Sequence, residues 1–105
     1  MQYHPLGTTG VKVSQLCFGT MSFGGDADEQ TSVELFKRCR DKGINFFDCA
    51  DVYNGGRSEE ILGKLVAGNR SELVLTSKVY FPTSQDVNAR GGTRKHIRES
   101  VHASL

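Results

Sequence analysis

Residues 43–63 read GINFFDCADVYNGGRSEEILG, and this stretch decides the fold. An apolar run (INFF) ends at Asp48, and a polar loop that carries Tyr53 and two glycines follows it. A segment with helical apolar periodicity comes next. The pattern predicts a strand, a functional loop and a helix, with an acid at the point where the strand ends. Ionisable groups at the carboxyl ends of buried strands are where α/β proteins place their chemistry.

The alternation of strands and helices extends over the rest of the chain. The predicted elements are a hairpin over 2–13, strands over 13–19, 44–48 and 73–79, helices from about residue 28, over 58–67 and from Thr93, and a long loop over 80–92. Regular alternation implies parallel strands with right-handed crossovers. Three such strands leave both sheet edges open, and the last helix ends on an apolar stripe without a cap. We therefore expect a truncated domain, the first part of a barrel or of a doubly wound sheet.

Several polar residues and glycines are predicted to have structural roles. Ser58 is the expected N-cap of the second helix. The glycine pairs at 24–25 and 55–56 indicate flexible loops rather than phosphate-binding turns. His96 and His102, six residues apart on the last helix, are expected to lie at its surface.

The composition is that of an ordinary globular chain. Its 105 residues are 37% hydrophobic and 24% charged with a net charge of +1, which gives no reason to expect nucleic acid as a partner. No apolar run approaches the roughly 20 residues of a membrane span, and the N-terminus does not resemble a secretory signal. Three cysteines without C-x-x-C spacing favour reduced thiols in the cytoplasm over zinc or disulfides, and Cys49 is expected to be a small buried thiol.

An acid, an amine and a phenol are predicted to meet at one rim of the sheet. Side-chain alternation places Ile44 with Asp48 on one face of their strand, and Thr76 with Lys78 on one face of the next. If these strands are parallel neighbours, both charges lie at the same carboxyl rim, and Tyr53 can fold back over them. Asp48 then holds Lys78 charged. A cation about 4 Å from a phenol favours its ionised form by roughly 4 kcal/mol at an effective dielectric near 20, which suits a general acid.

Spacing alone leaves a structural interpretation open. An Asp48–Lys78 pair at a strand end is also expected as a simple ion pair, and a loop tyrosine is usually an amphipathic surface residue. On spacing, this structural interpretation has a slight advantage. The residue types at these positions identify a protein family more specifically than their spacing does.

Several motifs occur in the order in which the aldo-keto reductases carry them. The chain resembles this family, and within it the branch that includes the voltage-gated potassium channel β subunits and related bacterial reductases. The resemblance covers essentially the whole chain. It rests on the segments FGTM (18–21), FGG (23–25), DCADVY (48–53), SEEILG (58–63), TSK (76–78) and GTRKHI (92–97).

The resemblance implies an α/β fold, the N-terminal hairpin and first three β/α units of a (β/α)₈ TIM barrel, with residues 1–105 as the N-terminal part of one barrel domain. It also implies NADPH as the cofactor and hydride transfer to a small-molecule aldehyde or ketone. Tyr53 would be the proton donor, with Asp48 and Lys78 as its supports. The family's contacts near the nicotinamide ribose would be Gly19, Thr20, Met21 and Asp48.

The resemblance also indicates what is missing and which alternatives remain. The family's catalytic group has a fourth member, a histidine after the fourth strand, and this chain stops before it, so the chain alone is expected to have little activity. One alternative is a cofactor-binding regulatory β subunit of a channel-like partner. Another is a barrel lyase or isomerase with Lys78 as a Schiff-base amine. The substrate and the oligomeric state are left open.

Overall fold

The chain forms a two-stranded hairpin followed by three β/α units. The computed structural model describes residues 1–105. The strands are β1 (Tyr3–Pro5), β2 (Lys12–Ser14), β3 (Phe18–Gly19), β4 (Phe46–Asp48) and β5 (Val74–Thr76). The helices are α1 (Glu29–Asp41), α2 (Arg57–Val66) and α3 (Arg94–Ser104), with 3₁₀ turns at Tyr53–Gly56 and Arg70–Glu72. None of the three helices has the length and apolar character that a membrane crossing requires.

The strands form two sheets. β1 pairs antiparallel with β2, which confirms the predicted hairpin. β3, β4 and β5 form a parallel sheet in that order, so that Gly19 lies opposite Asp48 and Asp48 lies opposite Thr76. Parallel pairing brings the carboxyl ends of all three strands to one edge. We call this edge, with the residues that follow β3, β4 and β5, the carboxyl rim.

The main core lies between the parallel sheet and helices α1 and α2. Phe47 is fully buried, and its ring centroid lies 4.9 Å from that of Phe36 on α1. Because side chains alternate along a strand, burial of Phe47 and Cys49 against the helices turns Phe46 and Asp48 to the opposite face. The other buried members of this core are Ile44, Leu62, Val66 and Leu73.

The first predicted core strand, over 13–19, is wrong in its extent. The chain turns after Ser14, whose hydroxyl donates to the carbonyl oxygen of Leu16 at 2.6 Å. The amide of Ser14 donates to the side-chain oxygen of Asn45 at 2.7 Å, which ties the hairpin to the chain just before β4. The stretch is therefore divided between β2 and β3, because local hydrogen bonds of Ser14 favour a turn over a continuous strand.

The other two predicted strands are shorter than expected. The strands predicted over 44–48 and 73–79 are observed as β4 and β5. Ile44 precedes β4 and packs in the same core as Phe47. The prediction that Ile44 shares a face with Asp48 is therefore wrong, because strand alternation begins only where the strand does.

Helix α2 corrects the predicted role of Ser58. The helix begins at Arg57, and its N-cap is Gly56, which has φ 93° and makes no side-chain cap bond. Ser58 lies instead in the first turn, fully buried, and its Oγ donates to the carbonyl oxygen of Thr20 at 2.7 Å. The sulfur of Cys49 lies 3.3 Å from the same Oγ, and its burial confirms the predicted buried thiol. Ser58 therefore joins α2 to the end of β3.

Removing this hydroxyl is expected to destabilise the chain. We expect Ser58→Ala to lower the free energy of unfolding by about 1 kcal/mol, because a buried hydrogen bond is lost. Urea unfolding followed by circular dichroism measures the change. Ser71→Ala, at an exposed position in a 3₁₀ turn, is the matched control and should change it by less than about 0.5 kcal/mol. Equal losses in both variants would contradict the role of Ser58.

Two glycines are required by backbone conformation and close packing. Gly24 and Gly56 have φ angles of 78° and 93°, in the left-handed region that favours glycine. A Cβ at Gly24 would also overlap the side chain of Arg57. Glycine is therefore needed at positions 24 and 56 because of backbone conformation and, at Gly24, because of the close approach of Arg57. The flexibility predicted for the pairs at 24–25 and 55–56 is not the reason.

Helix α3 presents a different face from the expected one. The helix was predicted to begin at Thr93; it begins at Arg94, and Thr93 is its N-cap, with its hydroxyl accepting from the amide of His96 at 3.2 Å. The buried residues of α3 are His96 and Ser100, whereas Ile97 and Val101 are 39% and 52% exposed. The predicted surface position of His96 is therefore wrong. His96 and Ser100 each precede a residue of the apolar stripe by one position, which is about 100° around the helix axis. Tertiary contacts bury the polar face of α3 rather than the apolar stripe.

Candidate functional site

Three elements supply the side chains of the candidate site. Asp48 is the last residue of β4, Tyr53 lies in the loop that follows, and Lys78 lies two residues beyond β5. Lys78 Nζ lies 2.5 Å from Asp48 Oδ2 and 3.1 Å from Tyr53 Oη. The predicted convergence of a carboxylate, an amine and a phenol at the carboxyl rim is confirmed as geometry. Their assignment as catalytic residues stays a prediction.

The ammonium of Lys78 has a partner for each of its protons. Nζ donates to Asp48 Oδ2, to Tyr53 Oη and, at 2.7 Å, to the carbonyl oxygen of Cys49. Since an ammonium has three donors and no acceptor, Tyr53 Oη can only accept from Lys78. The phenolic proton of Tyr53 is therefore free to be donated elsewhere. Nζ also lies 4.9 Å from the centroid of the Tyr53 ring, within cation–π range.

The carboxylate of Asp48 is held from both sides. Its Oδ2 binds Lys78, and its Oδ1 accepts from Thr76 Oγ1 at 2.7 Å. Thr76 was not predicted as part of the site. The signal for it was present, because Thr76 lies two residues before Lys78 and so points to the same face of the strand. Asp48 is therefore fixed in orientation before any ligand binds.

The pKa values of the pair follow from these contacts. Burial raises the pKa of Asp48, but hydrogen bonds from Lys78 and Thr76 and the charge of Lys78 outweigh it, so the pKa lies below its ordinary value. Burial lowers the pKa of Lys78, but its bonds to Asp48 and Tyr53 and their charges raise it overall. A Schiff-base lysine must react as a neutral amine. The charged state of Lys78 therefore disfavours the lyase or isomerase alternative.

The lowered pKa of Asp48 predicts a specific pH dependence of stability. Because the pKa is lower in the folded than in the unfolded chain, the carboxylate contributes stability above its unfolded value of about 4 and loses it as the pH falls through the folded value. We expect the free energy of unfolding to fall more steeply below about pH 4 in the wild type than in Asp48→Asn. Urea unfolding at a series of pH values measures both slopes. Asp41→Asn, at an exposed position, should keep the wild-type slope, and parallel curves for wild type and Asp48→Asn would contradict this prediction.

The residues predicted to contact a cofactor differ in accessibility. Gly19 and Met21 are exposed beside Asp48, and a Cβ at Gly19 would meet open space. Thr20 has no exposed surface. Its amide and hydroxyl donate to the carbonyl oxygen of Asp48 at 2.9 and 3.0 Å. Gly19, Met21 and Asp48 therefore fit a group bound at the carboxyl rim, whereas Thr20 supports the strand end from within.

Asn54, which the sequence analysis did not single out, anchors the loop that carries Tyr53. It has φ 50°, and its Nδ2 donates to the carbonyl oxygens of Met21 and Phe23, both at 2.8 Å. Asparagine is one of the few residues that tolerate this conformation. An asparagine directly before two glycines was the available signal. The contacts join the Tyr53 loop to the loop after β3.

Comparison with known proteins decides the family. A family model described as "Aldo/keto reductase family" matches residues 15–105. The chain belongs to the aldo/keto reductase family. This membership confirms the family resemblance that the sequence motifs indicated.

Three relatives of this aldo/keto reductase chain illustrate the match. It is 42% identical over 109 residues to the "Probable voltage-gated potassium channel subunit beta" of Oryza sativa subsp. japonica, covering 100% of the chain and 33% of that protein. It is 43% identical over 116 residues to the "Uncharacterized oxidoreductase YrpG" of Bacillus subtilis, covering 100% and 36%. The solved aldo-keto reductase AKR11C1 from Bacillus halodurans, in its holo form, superposes with a TM-score of 0.88 at 34% identity, covering 100% and 35%.

These matches confirm the predicted fold class. The hairpin and three β/α units of this aldo/keto reductase chain correspond to part of the TIM barrel of its structural neighbours. The chain spans about a third of the length of the curated relatives it matches.

Proposed function

We propose that the chain is the N-terminal part of a single aldo/keto reductase barrel domain, which uses NADPH to reduce aldehydes or ketones to alcohols. The hydrogen bond from Lys78 Nζ to Tyr53 Oη, at 3.1 Å, is the observation that carries the proposal. It orients the phenol so that Tyr53 accepts from the lysine and can donate its own proton to a substrate. A structural ion pair between Asp48 and Lys78 does not require this third partner.

The proposed roles follow from the contacts of each residue. Asp48 holds the Lys78 ammonium in place and keeps it charged. Lys78 stabilises the negative charge that develops on Tyr53 Oη as the phenol transfers its proton to the carbonyl oxygen of the substrate. NADPH, when bound, supplies a hydride to the carbonyl carbon. Gly19, Met21 and Asp48 are the accessible residues that would hold its nicotinamide end.

Expression of the longest reading frame that contains residues 1–105 tests the proposal. We expect oxidation of NADPH that depends on an added aldehyde or ketone, followed by the loss of NADPH absorbance. The 105-residue chain alone is expected to show little or no turnover, since the family's histidine and its later cofactor-binding strands are not among these residues. No carbonyl-dependent oxidation by the longer protein, over a broad aldehyde and ketone panel, would overturn the reductase assignment.

A regulatory function is the second candidate. The relative from rice, at 42% identity, is named as a channel β subunit. In that case the same three side chains would bind a nucleotide while contacts with a channel-like partner carry the function. A protein that co-purifies with bound NADP(H) but shows no turnover with any carbonyl of the panel would favour this candidate. Turnover comparable to that of typical reductases, on the order of 1 per second or more, would favour the enzyme.

The proposed partner is a small molecule, and the proposed location is the cytoplasm. A net charge of +1 offers no basis for nucleic-acid binding. The three cysteines are free, and free thiols are typical of a reducing compartment.

A further inference from the structure

Two buried polar atoms on neighbouring elements have no hydrogen-bond partner. They are Oδ2 of Asp51, in the loop between β4 and Tyr53, and Nε2 of His96, in the first turn of α3. His96 is only 2% exposed. Both residues line one groove of about 540 Å³ between this loop, α2 and α3. Because unpartnered buried polar groups are costly, two of them at one groove are expected to share a bridging water.

The position of Asp51 connects this groove to the candidate site. Its amide donates to the carbonyl oxygen of Lys78 at 3.2 Å, and the amide of Tyr53 donates to the carbonyl oxygen of Ala50 at 3.2 Å. Asp51 therefore lies in the short turn between the backbone of Lys78 and the phenol of Tyr53. Its main chain contacts the β5 side of the rim, while its carboxyl group lines the groove beside α3.

The other acidic residues of the groove already have partners. Glu59 and Glu60 of α2 and Glu99 of α3 line it as well. Their carboxylates accept from Ser77 at 2.6 Å, Arg57 at 3.0 Å and Lys95 at 2.6 Å, respectively. The groove therefore contains three carboxylates with partners, together with one carboxyl oxygen of Asp51 and one ring nitrogen of His96 that have none.

The surroundings of Asp51 raise the pKa of its carboxyl group overall. Burial raises the pKa of Asp51, and the nearby Glu59 raises it further, while Ser100, His96 and the amide of Val52 act in the opposite direction. The groove is roomy enough to hold water, and a water that bridges two buried polar groups is nearly as favourable as a direct hydrogen bond.

We propose that Asp51 and His96 are positioning residues joined by a water in the groove, and so fasten the Tyr53 loop to the first turn of α3. The catalytic consequence rests on the proposed function. With the loop fastened, Tyr53 Oη stays within hydrogen-bond distance of Lys78. Neither Asp51 nor His96 touches the reacting atoms.

Amide hydrogen exchange tests the link without any assay of activity. In the protein expressed from its complete reading frame, we expect Asp51→Ala and His96→Leu each to accelerate exchange at residues 49–56 by about tenfold, while exchange in β5 stays unchanged. The double variant should exchange no faster than either single variant, because both remove one link. His96→Gln keeps a side-chain N–H donor and should restore most of the protection. Glu99→Gln, on the same helix, is the matched control.

Turnover provides the second readout. Asp51→Ala and His96→Leu are expected to lower kcat by about tenfold without a comparable change in KM for NADPH, and to cause no further loss in a Tyr53→Phe background. Wild-type protein without turnover, but with the expected exchange pattern, would overturn the proposed function and leave the link standing. Active protein in which exchange at 49–56 is unchanged, or is accelerated equally throughout the chain, would overturn the link and leave the function standing.

Discussion

In the protein expressed from its complete reading frame, we expect Tyr53→Phe to lower kcat for the proposed carbonyl reduction by about 100- to 10,000-fold, the range for loss of a general acid. The substitution keeps the aromatic ring beside Lys78 and removes only the oxygen, which both accepts from Nζ and carries the transferable proton. The loop remains anchored by Asn54. KM for NADPH should therefore change little, since no proposed cofactor contact is lost. Steady-state kinetics with an aldehyde substrate give both values.

Tyr3→Phe is the matched control for this experiment. It removes the oxygen of another partly exposed tyrosine, which donates to the carbonyl oxygen of Gly43 at 2.8 Å on the hairpin. Because this contact lies outside the carboxyl rim, turnover should stay at the wild-type level. Unchanged turnover in Tyr53→Phe would remove Tyr53 from its role as proton donor and would return the Asp48–Lys78 pair to a structural interpretation.

The second large effect is expected at Lys78. Lys78→Met removes the only cation that contacts both Asp48 and Tyr53, so the phenolate charge that develops during proton transfer is no longer stabilised. We expect kcat to fall by at least about 100-fold. Lys78 is about half exposed, so the free energy of unfolding should fall by less than about 1 kcal/mol. A large kinetic loss with a small stability loss separates a catalytic from a structural pair.

Two further variants sharpen the test at Lys78. Lys78→Arg keeps the charge, but a planar guanidinium does not reproduce three contacts made by one nitrogen, so we expect only partial activity. Lys64→Met removes an exposed lysine that pairs with Glu29 at 3.0 Å and should leave turnover unchanged. Borohydride trapping of a carbonyl substrate on Lys78 would contradict the charged amine and support the Schiff-base alternative.

The residues around Asp48 show which features of the site are readable from local pattern. An apolar run that ends in an acid, a polar loop with glycines, and an amine near the end of the next predicted strand were enough to predict that Asp48, Tyr53 and Lys78 converge if the two strands are parallel neighbours. The same alternation pointed to Thr76, which binds Asp48 at 2.7 Å. Such patterns can be read from residues that are close in sequence, because side chains two residues apart on a strand point to the same face.

The wrong prediction for Ser58 has a different origin. Ser58 has the residue type and position of an N-cap, but its hydroxyl is taken by the carbonyl oxygen of Thr20, from a strand end 38 residues earlier in the chain. Thr20 is itself buried, and its amide and hydroxyl donate to the carbonyl oxygen of Asp48. Neither partner can be inferred from local periodicity, because each contact depends on how α2 packs against the end of β3.

Local sequence pattern therefore determined the order of strands and helices, the parallel sheet and the identity of the three side chains at the carboxyl rim. Tertiary structure alone decided which face of α3 is buried. The apolar stripe at Ile97 and Val101 predicted one face, whereas the structure buries His96 and Ser100. The reason is that hydrophobic periodicity is a property of one segment, whereas the buried face of α3 depends on how it packs beside α2 and the loop after β4, which meet it only after folding.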